Sequence, residues 1–245
     1  MKKIISLSLV VTSVLFASDA KKVDNSLKTH AELGFIDTKG NTNTQTYNYE
    51  ADFKKSIEVH SFELKFDGQY AENNKEENKN KHAILFNYDY AFNPSISFNY
   101  VAGYKNDKFS GFAYQWFTGP GVKWNAYKSD RQSLSMDASV LYSYDKYDDG
   151  IIVDNEDYND YAAGRATLAY ELQVLENLKF TQDLSYRVDL GDADTYFVYS
   201  KSALSSKISD IFSAGISYKV YYVNQPPAGV EHTDRTLTAN LILDY

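Results

Sequence analysis

Apolar and polar residues alternate along this chain from about residue 33 to its last residue. Alternation with a period of two places one set of side chains on each face of a β-strand, whereas a helix would need a period near 3.6. Within residues 178–190, Phe180 and Leu184 fall on one face, while Lys179 and Asp183 fall on the other. The pattern therefore predicts amphipathic strands rather than helices.

Breaks between the alternating stretches divide the chain into about twelve predicted strands. Most are close to or longer than the ~9–11 residues that a tilted membrane-spanning strand requires. They cover residues 30–38, 43–55, 60–71, 81–92, 95–106, 112–126, 132–145, 160–172, 178–190, 196–207, 211–223 and 233–245. We expect an all-β fold, an antiparallel up-and-down transmembrane β-barrel of about twelve strands.

The connections between the predicted strands alternate in length. Short connections fall at 57–59, 93–94, 127–131, 173–177 and 208–210, and longer or more polar ones at 72–80, 107–111, 146–159, 191–195 and 224–232. Tight turns at one rim and larger loops at the other are typical of outer-membrane barrels. This organisation predicts an even number of strands, with both termini on the periplasmic side. We expect the charged stretch 73–81 to be a mobile loop.

The first twenty residues follow the plan of a secretory signal peptide. That plan comprises Lys2 and Lys3, the apolar stretch 4–16, and the small residues Ala17, Ser18 and Ala20. Cleavage after Ala17 and cleavage after Ala20 both fit. No later run approaches the ~18 apolar residues of a membrane-spanning helix. We therefore expect a signal peptide at 1–20, followed by one barrel domain at 21–245.

Composition narrows the classes of function. The chain has 22 Tyr and 14 Phe but only 4 Pro. Aromatic residues are enriched in β-strands and at membrane interfaces. A formal net charge of −8 argues against a nucleic-acid partner, which requires a basic surface. Because the chain has no Cys, it has no disulfide framework, thiolate metal site or lipid-anchored Cys. We expect no cofactor.

Alternation alone does not decide whether the apolar face points outward to lipid or inward to a core. The many Tyr residues near predicted strand ends, typical of aromatic girdles, favour the outward arrangement. The terminal Tyr245 is in phase with Leu241 and Leu243, as in strands that barrel assembly machinery favours. We expect a protein of the bacterial outer membrane whose partners are membrane lipid, lipopolysaccharide and, during biogenesis, that machinery. Monomer and trimer both remain open.

Two local sequences are more distinctive than the strand pattern. One runs from Asn106, Asp107 and Phe109 through Gly111 to Gly119, Pro120 and Gly121; the other contains Pro226, Pro227, Gly229, Glu231, Thr233 and Asp234. Together with Gly40, Asn41 and Thr42, they resemble domain-of-unknown-function family 481, described as salt-induced outer-membrane proteins. The resemblance covers essentially the whole mature chain. It implies an outer-membrane β-barrel and leaves the biochemical activity open.

The glycine-proline-glycine segment 119–121 interrupts an otherwise regular predicted strand. Proline cannot donate to the strand ladder and glycine tolerates unusual dihedral angles, so we expect a bend or bulge that helps the barrel to close. The two glycines would then face the lumen. A ligand groove at this position is the second hypothesis.

Two groups at the predicted extracellular rim suggest chemistry. His232 lies beside Glu231 and Asp234, where a His could act as a general base, but neither a nucleophile elbow nor a metal-binding helix accompanies it. A second group of acidic residues crowds the longest predicted loop: Asp145, Asp148, Asp149, Asp154, Glu156, Asp157 and Asp160. They either bind Ca²⁺ or bridge to lipopolysaccharide, or form a solvated acidic surface, and their spacing is not that of an EF-hand. We predict no enzyme, with a hydrolase at the rim as a remote alternative.

The polar faces of the predicted strands carry charges of both signs. The candidate lumen-lining residues are Glu50, Asp52, Glu63, Lys65, Asp67, Arg165, Lys179, Asp183, Arg187, Asp189 and Lys219. Such charges either pair as a plug or line a channel, and a barrel of about twelve strands is wide enough for both. We expect a channel for ions or small solutes, or an envelope protein of osmotic stress. A closed barrel that acts through its outer loops is the alternative.

Overall fold

A computed structural model describes residues 26–38, 43–153 and 155–245. Twelve antiparallel strands form a closed barrel in which every strand pairs with its neighbours in the chain and β1 pairs with β12. The strands are β1 (Leu27–Thr38), β2 (Thr44–Ile57), β3 (His60–Asn73), β4 (Glu76–Ala91), β5 (Ile96–Asp107), β6 (Phe112–Lys128), β7 (Gln132–Tyr147), β8 (Tyr158–Leu175), β9 (Leu178–Asp189), β10 (Tyr196–Lys207), β11 (Phe212–Val223) and β12 (Thr233–Asp244). The predicted fold class and all twelve predicted strands are confirmed.

The described parts of the chain do not include every predicted feature. The proposed signal peptide at 1–20, the segment Gly40 to Thr42 and the acidic residue Asp154 lie outside the described residues. Across residues 26–38, 43–153 and 155–245, no helix is long and apolar enough to cross a membrane.

The barrel has two different rims. At the terminal rim, where β1 begins and β12 ends, the connections are 58–59, 92–95, 129–131, 176–177 and 208–211; at the loop rim they include 74–75, 108–111, 148–157, 190–195 and 224–232. The predicted alternation therefore holds for the loops at 148–157, 190–195 and 224–232. It fails between β3 and β4 and between β5 and β6, where the connections are no longer than the longest ones at the terminal rim.

The prediction of a mobile loop at 73–81 is wrong. β3 and β4 continue to a tight turn at Asn74 and Lys75, whose φ angles of 50° and 70° both lie in the left-handed region. A hairpin turn with two such residues has a twist that matches the twist of the strands it joins. Strand pairing therefore extends through the polar residues, although Ala71 and Glu72 mark a register shift.

Large apolar side chains cover the outside of the barrel. Leu237, Leu33 and Val140 are 68%, 64% and 61% exposed. The alternation turns the other set of residues inward, where the charged groups Glu32, Asp145 and Arg187 are buried. The outward face is therefore apolar and the inward face is largely polar.

The glycine-proline-glycine segment shapes β6 differently from the expectation. Thr118 pairs with Tyr142 and Gly121 pairs with Ser139 in one continuous register, so the expected bulge is absent from this described segment. The register shifts of this strand pair lie at Phe112/Tyr114 and Asn125/Tyr127 instead. Gly119 is required for close approach, because a Cβ there would lie 2.1 Å from the carbonyl oxygen of Val140.

The seam that closes the barrel is shorter than the other strand pairs. The register between β1 and β12 runs from His30↔Asp244 to Leu33↔Leu241, whereas β1 and β2 pair from Leu27 to Thr38. Beyond this seam Phe35 and Ile36, although consecutive, are both exposed, at 57% and 47%. The half of β1 nearer the loop rim thus pairs with β2.

Candidate functional site in the barrel interior

A chain of alternating charges crosses the interior between strands that are not neighbours. Glu50 on β2 accepts a hydrogen bond of 2.7 Å from the Nζ of Lys201 on β10. The other carboxylate oxygen of Glu50 lies 2.5 Å from the Nζ of Lys219 on β11, which also contacts Asp67 on β3. Lys201 in turn donates to Glu32 on β1 over 3.0 Å. We call these five residues the central ion-pair chain.

Further hydrogen bonds extend the central ion-pair chain towards the terminal rim. The side-chain nitrogen of Asn240 donates to Glu32 over 2.6 Å. The ring nitrogens of His30 lie 3.0 Å from Glu32 and 2.6 Å from Asp244. A cavity of about 400 Å³ opens there, with His30 and Lys54 among its lining residues. The network of hydrogen bonds therefore borders a cavity at the terminal rim.

A second buried polar cluster lies nearer the loop rim. Asp145 on β7 is 2% exposed and accepts hydrogen bonds from Gln115 (2.9 Å) and from the hydroxyl of Tyr161 (2.8 Å). The guanidinium of Arg187 lies 3.6 Å from the same carboxylate. The assignment of Asp145 to the acidic outer loop was wrong, because β7 extends to Tyr147 and carries Asp145 into the interior.

An apolar cluster adjoins this second polar cluster. Its buried members are Val101, Phe112, Leu141, Tyr161, Ala163, Phe197 and Val223. The ring centres of Phe112 on β6 and Phe197 on β10 are 6.5 Å apart, although these strands are not adjacent. Side chains therefore span the interior near the loop rim.

The remaining candidate lumen charges form smaller groups. Lys65 lies 3.6 Å from Asp52 and 3.4 Å from Glu63. Asp189 accepts a hydrogen bond of 2.7 Å from the backbone of Gly191 in the loop after β9. Lys179 and Asp183, also on β9, are half-buried. The structure therefore joins Glu50, Asp67 and Lys219 in one chain and leaves the other candidates in separate contacts.

Sequence reasoning missed several members of these clusters. Glu32 and Lys201 are both buried, with side-chain exposures of 8% and 10%, yet neither was among the candidates. Lys201 lies between Ser200 and Ser202, where both faces of the strand are polar and alternation gives a weak signal. Gln115 and Tyr161 were missed because an uncharged polar side chain does not indicate whether it faces the lumen or the outer surface.

The two motif segments meet at the loop rim. Gly111 has a φ of 76°, and a Cβ there would lie 2.8 Å from the side chain of Pro227. The backbone of Asp148 donates to the Gly111 carbonyl over 3.1 Å. Partial desolvation, with Asp149 and Asp107 nearby, raises the pKa of the Asp148 carboxyl. The motif residues therefore close the rim over the apolar cluster, in which Phe112 is buried.

The residues considered for rim chemistry are engaged in other contacts. A ring nitrogen of His232 lies 3.0 Å from the carbonyl oxygen of Val223, and the ring stacks on Tyr222. Asp234 accepts hydrogen bonds from Lys79 (2.8 Å) and Lys81 (2.7 Å). The structure thus does not pair His232 with that carboxylate. Among the described residues, no group of three or more His, Asp or Glu is arranged to hold a metal ion.

Comparison with known proteins gives one family and one fold. The model of the family described as "Protein of unknown function, DUF481" matches residues 31–245. "Uncharacterized protein YdiY" of Escherichia coli (strain K12) is 26% identical over 216 residues, which cover 85% of this chain and 79% of that protein. The solved NanC porin has a TM-score of 0.52 and 9% identity, covering 90% of this chain and 99% of that one. At that identity the likeness to the porin is one of fold.

Proposed function

This chain belongs to the DUF481 family, as its motifs predicted, and from that premise we propose that it is an outer-membrane barrel which passes ions or small solutes through its charged interior. The proposal includes a state in which side-chain ion pairs close the passage. The barrel fold that this chain shares with the NanC porin supports a channel-like protein.

The apolar outer face supports a membrane location. Leu237 and Leu33, more than three-fifths exposed, lie on neighbouring strands of the seam, and Val140 is equally exposed on β7. Exposed apolar surface of this extent marks contact with a membrane or a partner. A closed barrel satisfies its backbone hydrogen bonds in lipid, as a spanning structure must. We propose that the termini lie on the periplasmic side, at the rim where outer-membrane barrels have their short turns.

The central ion-pair chain is the observation that carries the channel proposal. Buried charges cost several kcal/mol of desolvation each, and apolar side chains of similar size would fill a purely structural barrel at lower cost. Contacts such as those between Glu50 and its two lysines break by rotation of side chains, without any change in strand pairing. The charged interior therefore suits a passage that opens and closes, and that lets hydrated ions through when open.

Glu50 offers the sharpest test, because it contacts both Lys201 and Lys219. We would refold the mature chain in detergent and record single-channel current in a planar bilayer. Glu50→Gln removes the negative charge that holds the two lysines. We expect more frequent opening than in the unchanged protein, with selectivity shifted towards anions.

Glu58→Gln is the matched control. It makes the same chemical change in the exposed turn between β2 and β3, outside the central ion-pair chain, and should leave the current unchanged. Silence of the unchanged protein and both variants, with native gel mobility and β-rich circular dichroism, contradicts the channel proposal.

A closed barrel that acts through its outer loops is the second candidate, and the apolar cluster favours it. Phe112 and Phe197 meet across the interior near the loop rim. An apolar constriction excludes water and blocks ions even where the rest of the lumen is polar. The silent outcome of the bilayer experiment would support this candidate and direct attention to the segments 108–111 and 224–232.

A further inference from the structure

Two arginines face the interior directly beside each other. The register of β8 and β9 pairs Arg165 with Arg187, and their side chains are only 11% and 8% exposed. Like charges directly opposite in a sheet repel each other, and burial strengthens that repulsion. Such a pair requires a compensating negative group close to both guanidinium groups.

The neighbouring carboxylates balance the charge of the pair without completing its hydrogen bonds. Arg187 lies 3.6 Å from Asp145, and Arg165 lies 3.7 Å from Asp137. Both separations exceed the ~2.7–2.9 Å of a charge-assisted hydrogen bond. Asp145 already accepts from Gln115 and Tyr161. The guanidinium groups are therefore near carboxylates without closing strong hydrogen bonds to them.

Unpartnered polar atoms lie along the same row of the barrel. The registers place Asn99, Gly121, Ser139, Arg165 and Arg187 side by side on β5 to β9. Among the described residues, the buried Oδ1 of Asn99, Oγ of Ser139 and Nη1 of Arg187 have no hydrogen-bond partner. Buried polar groups are almost always paired, so the two donors among these atoms, the Ser139 hydroxyl and the Arg187 Nη1, have capacity for a bound acceptor.

Aromatic rings determine which part of Arg187 is available. Its Cζ lies 5.2 Å from the centre of the Phe117 ring and 4.3 Å from that of Phe197, and the Arg165 Cζ lies 5.7 Å from Phe117. Rings that contact the guanidinium faces leave the N–H groups at its edge free to donate. Edge donors of arginine suit small anions and carboxylates.

From this geometry we infer that Arg165 and Arg187 form a binding site for a small anion, either chloride or the carboxylate of a small solute. The Nη1 of Arg187 and the hydroxyl of Ser139 donate to the anion. The inference rests on the proposed function in one respect, since the anion reaches the row through the lumen.

The test measures binding without current. In detergent-refolded protein, we would follow the ³⁵Cl NMR line width while chloride replaces gluconate at constant ionic strength. Saturable broadening is expected, and Arg187→Gln should weaken it about tenfold or more, as the loss of a charge-assisted hydrogen bond implies. Displacement by acetate would assign the site to carboxylates as well as chloride, and failure of acetate to compete would restrict it to inorganic anions.

Two further variants keep the result interpretable. Lys179→Gln removes a cation from the same strand, outside the row, and should leave binding unchanged. Ser139→Ala removes one donor with little change in volume and should weaken binding several-fold even if Arg187→Gln does not fold. Absence of saturable broadening in the folded, unchanged protein overturns the inference, as does equal loss in Lys179→Gln.

The outcomes also separate this site from the channel. A barrel that binds chloride but carries no current contradicts the channel and leaves the anion site standing. A barrel that conducts but shows no saturable binding contradicts the anion site alone.

Discussion

The Nζ of Lys105 lies 3.6 Å from the centre of the Tyr221 ring. Lys105 is on β5 and Tyr221 is on β11, and these strands face each other across the barrel because half of the ring separates them. A contact between opposite walls means that two side chains span the full width of the interior at this depth. Cation–π contacts are stronger where water is excluded.

The Lys105 contact with Tyr221 leads to a prediction about conductance. Tyr221→Ala removes the ring that meets Lys105 and leaves space at the centre of the barrel. We expect a larger single-channel conductance than in the unchanged protein, measured in a planar bilayer. Tyr218→Ala, which removes a ring from the outer face of the same strand, where Tyr218 is 43% exposed, serves as the control. Equal currents for the two variants would contradict a constriction at Tyr221.

A second prediction concerns the close approach of β6 and β7. Gly119→Ala places a Cβ 2.1 Å from the carbonyl oxygen of Val140, so the backbone must move. Overpacking of this kind costs about 1–3 kcal/mol, occasionally more. We expect this loss in the free energy of unfolding, measured by urea titration of the refolded barrel.

Gly164→Ala is the matched control for Gly119→Ala. Its added Cβ would lie 3.3 Å from the flexible end of the side chain of Leu190, the residue that follows β9. A small shift of that side chain relieves the contact, so we expect a much smaller loss. If Gly119→Ala cost no more than Gly164→Ala, the close approach at Val140 would not limit stability.

A third prediction concerns the short seam. The described register joins β1 to β12 from His30 to Leu33, and two backbone hydrogen bonds join Thr29 to Tyr245 at the terminal rim. Backbone amides without a partner strand exchange hydrogen faster than amides in a complete ladder. We expect the segment 35–38 to take up deuterium faster than the segment 197–199 on β10, which is paired on both sides at a similar distance from the loop rim. Equal protection, resolved by residue, would show that the seam is closed along its whole length in solution.

The strands were predictable because each depends on local alternation. For β9, the period of two assigned Arg187 and Asp183 to one face without any knowledge of the partner strands. The turn at Asn74 and Lys75 was not predicted, since charged residues in a row suggested a loop. Both turn residues adopt the left-handed conformation that such a tight hairpin requires, and of the two only Asn74 is a residue type that commonly adopts it.

Contacts across the interior were much less predictable than strands. Glu32 and Lys201 are 169 positions apart in sequence, and their contact depends on how the strands are staggered when the barrel closes. No local pattern carries that stagger. The same limit applies to Asp145, which ends the predicted strand 132–145. Its sequence neighbours suggested an acidic loop, and only the closed barrel brings Gln115 and Tyr161 to its carboxylate.

The contact between Glu32 and Lys201 gives the last prediction. Lys201→Met leaves the buried Glu32 without its cation, and breaking one side of a buried ion pair costs about 3–5 kcal/mol. Adding Glu32→Gln removes the uncompensated charge, while Glu50 keeps its contact with Lys219. We therefore expect the double variant to unfold at higher urea concentration than Lys201→Met alone.

Lys207→Met, which removes a pair with the fully exposed Asp210, should change the unfolding free energy by less than ~1 kcal/mol. A double variant no more stable than Lys201→Met would mean that Glu32 is not held as a charge by Lys201, and that Asn240 and His30 suffice to keep it in the interior.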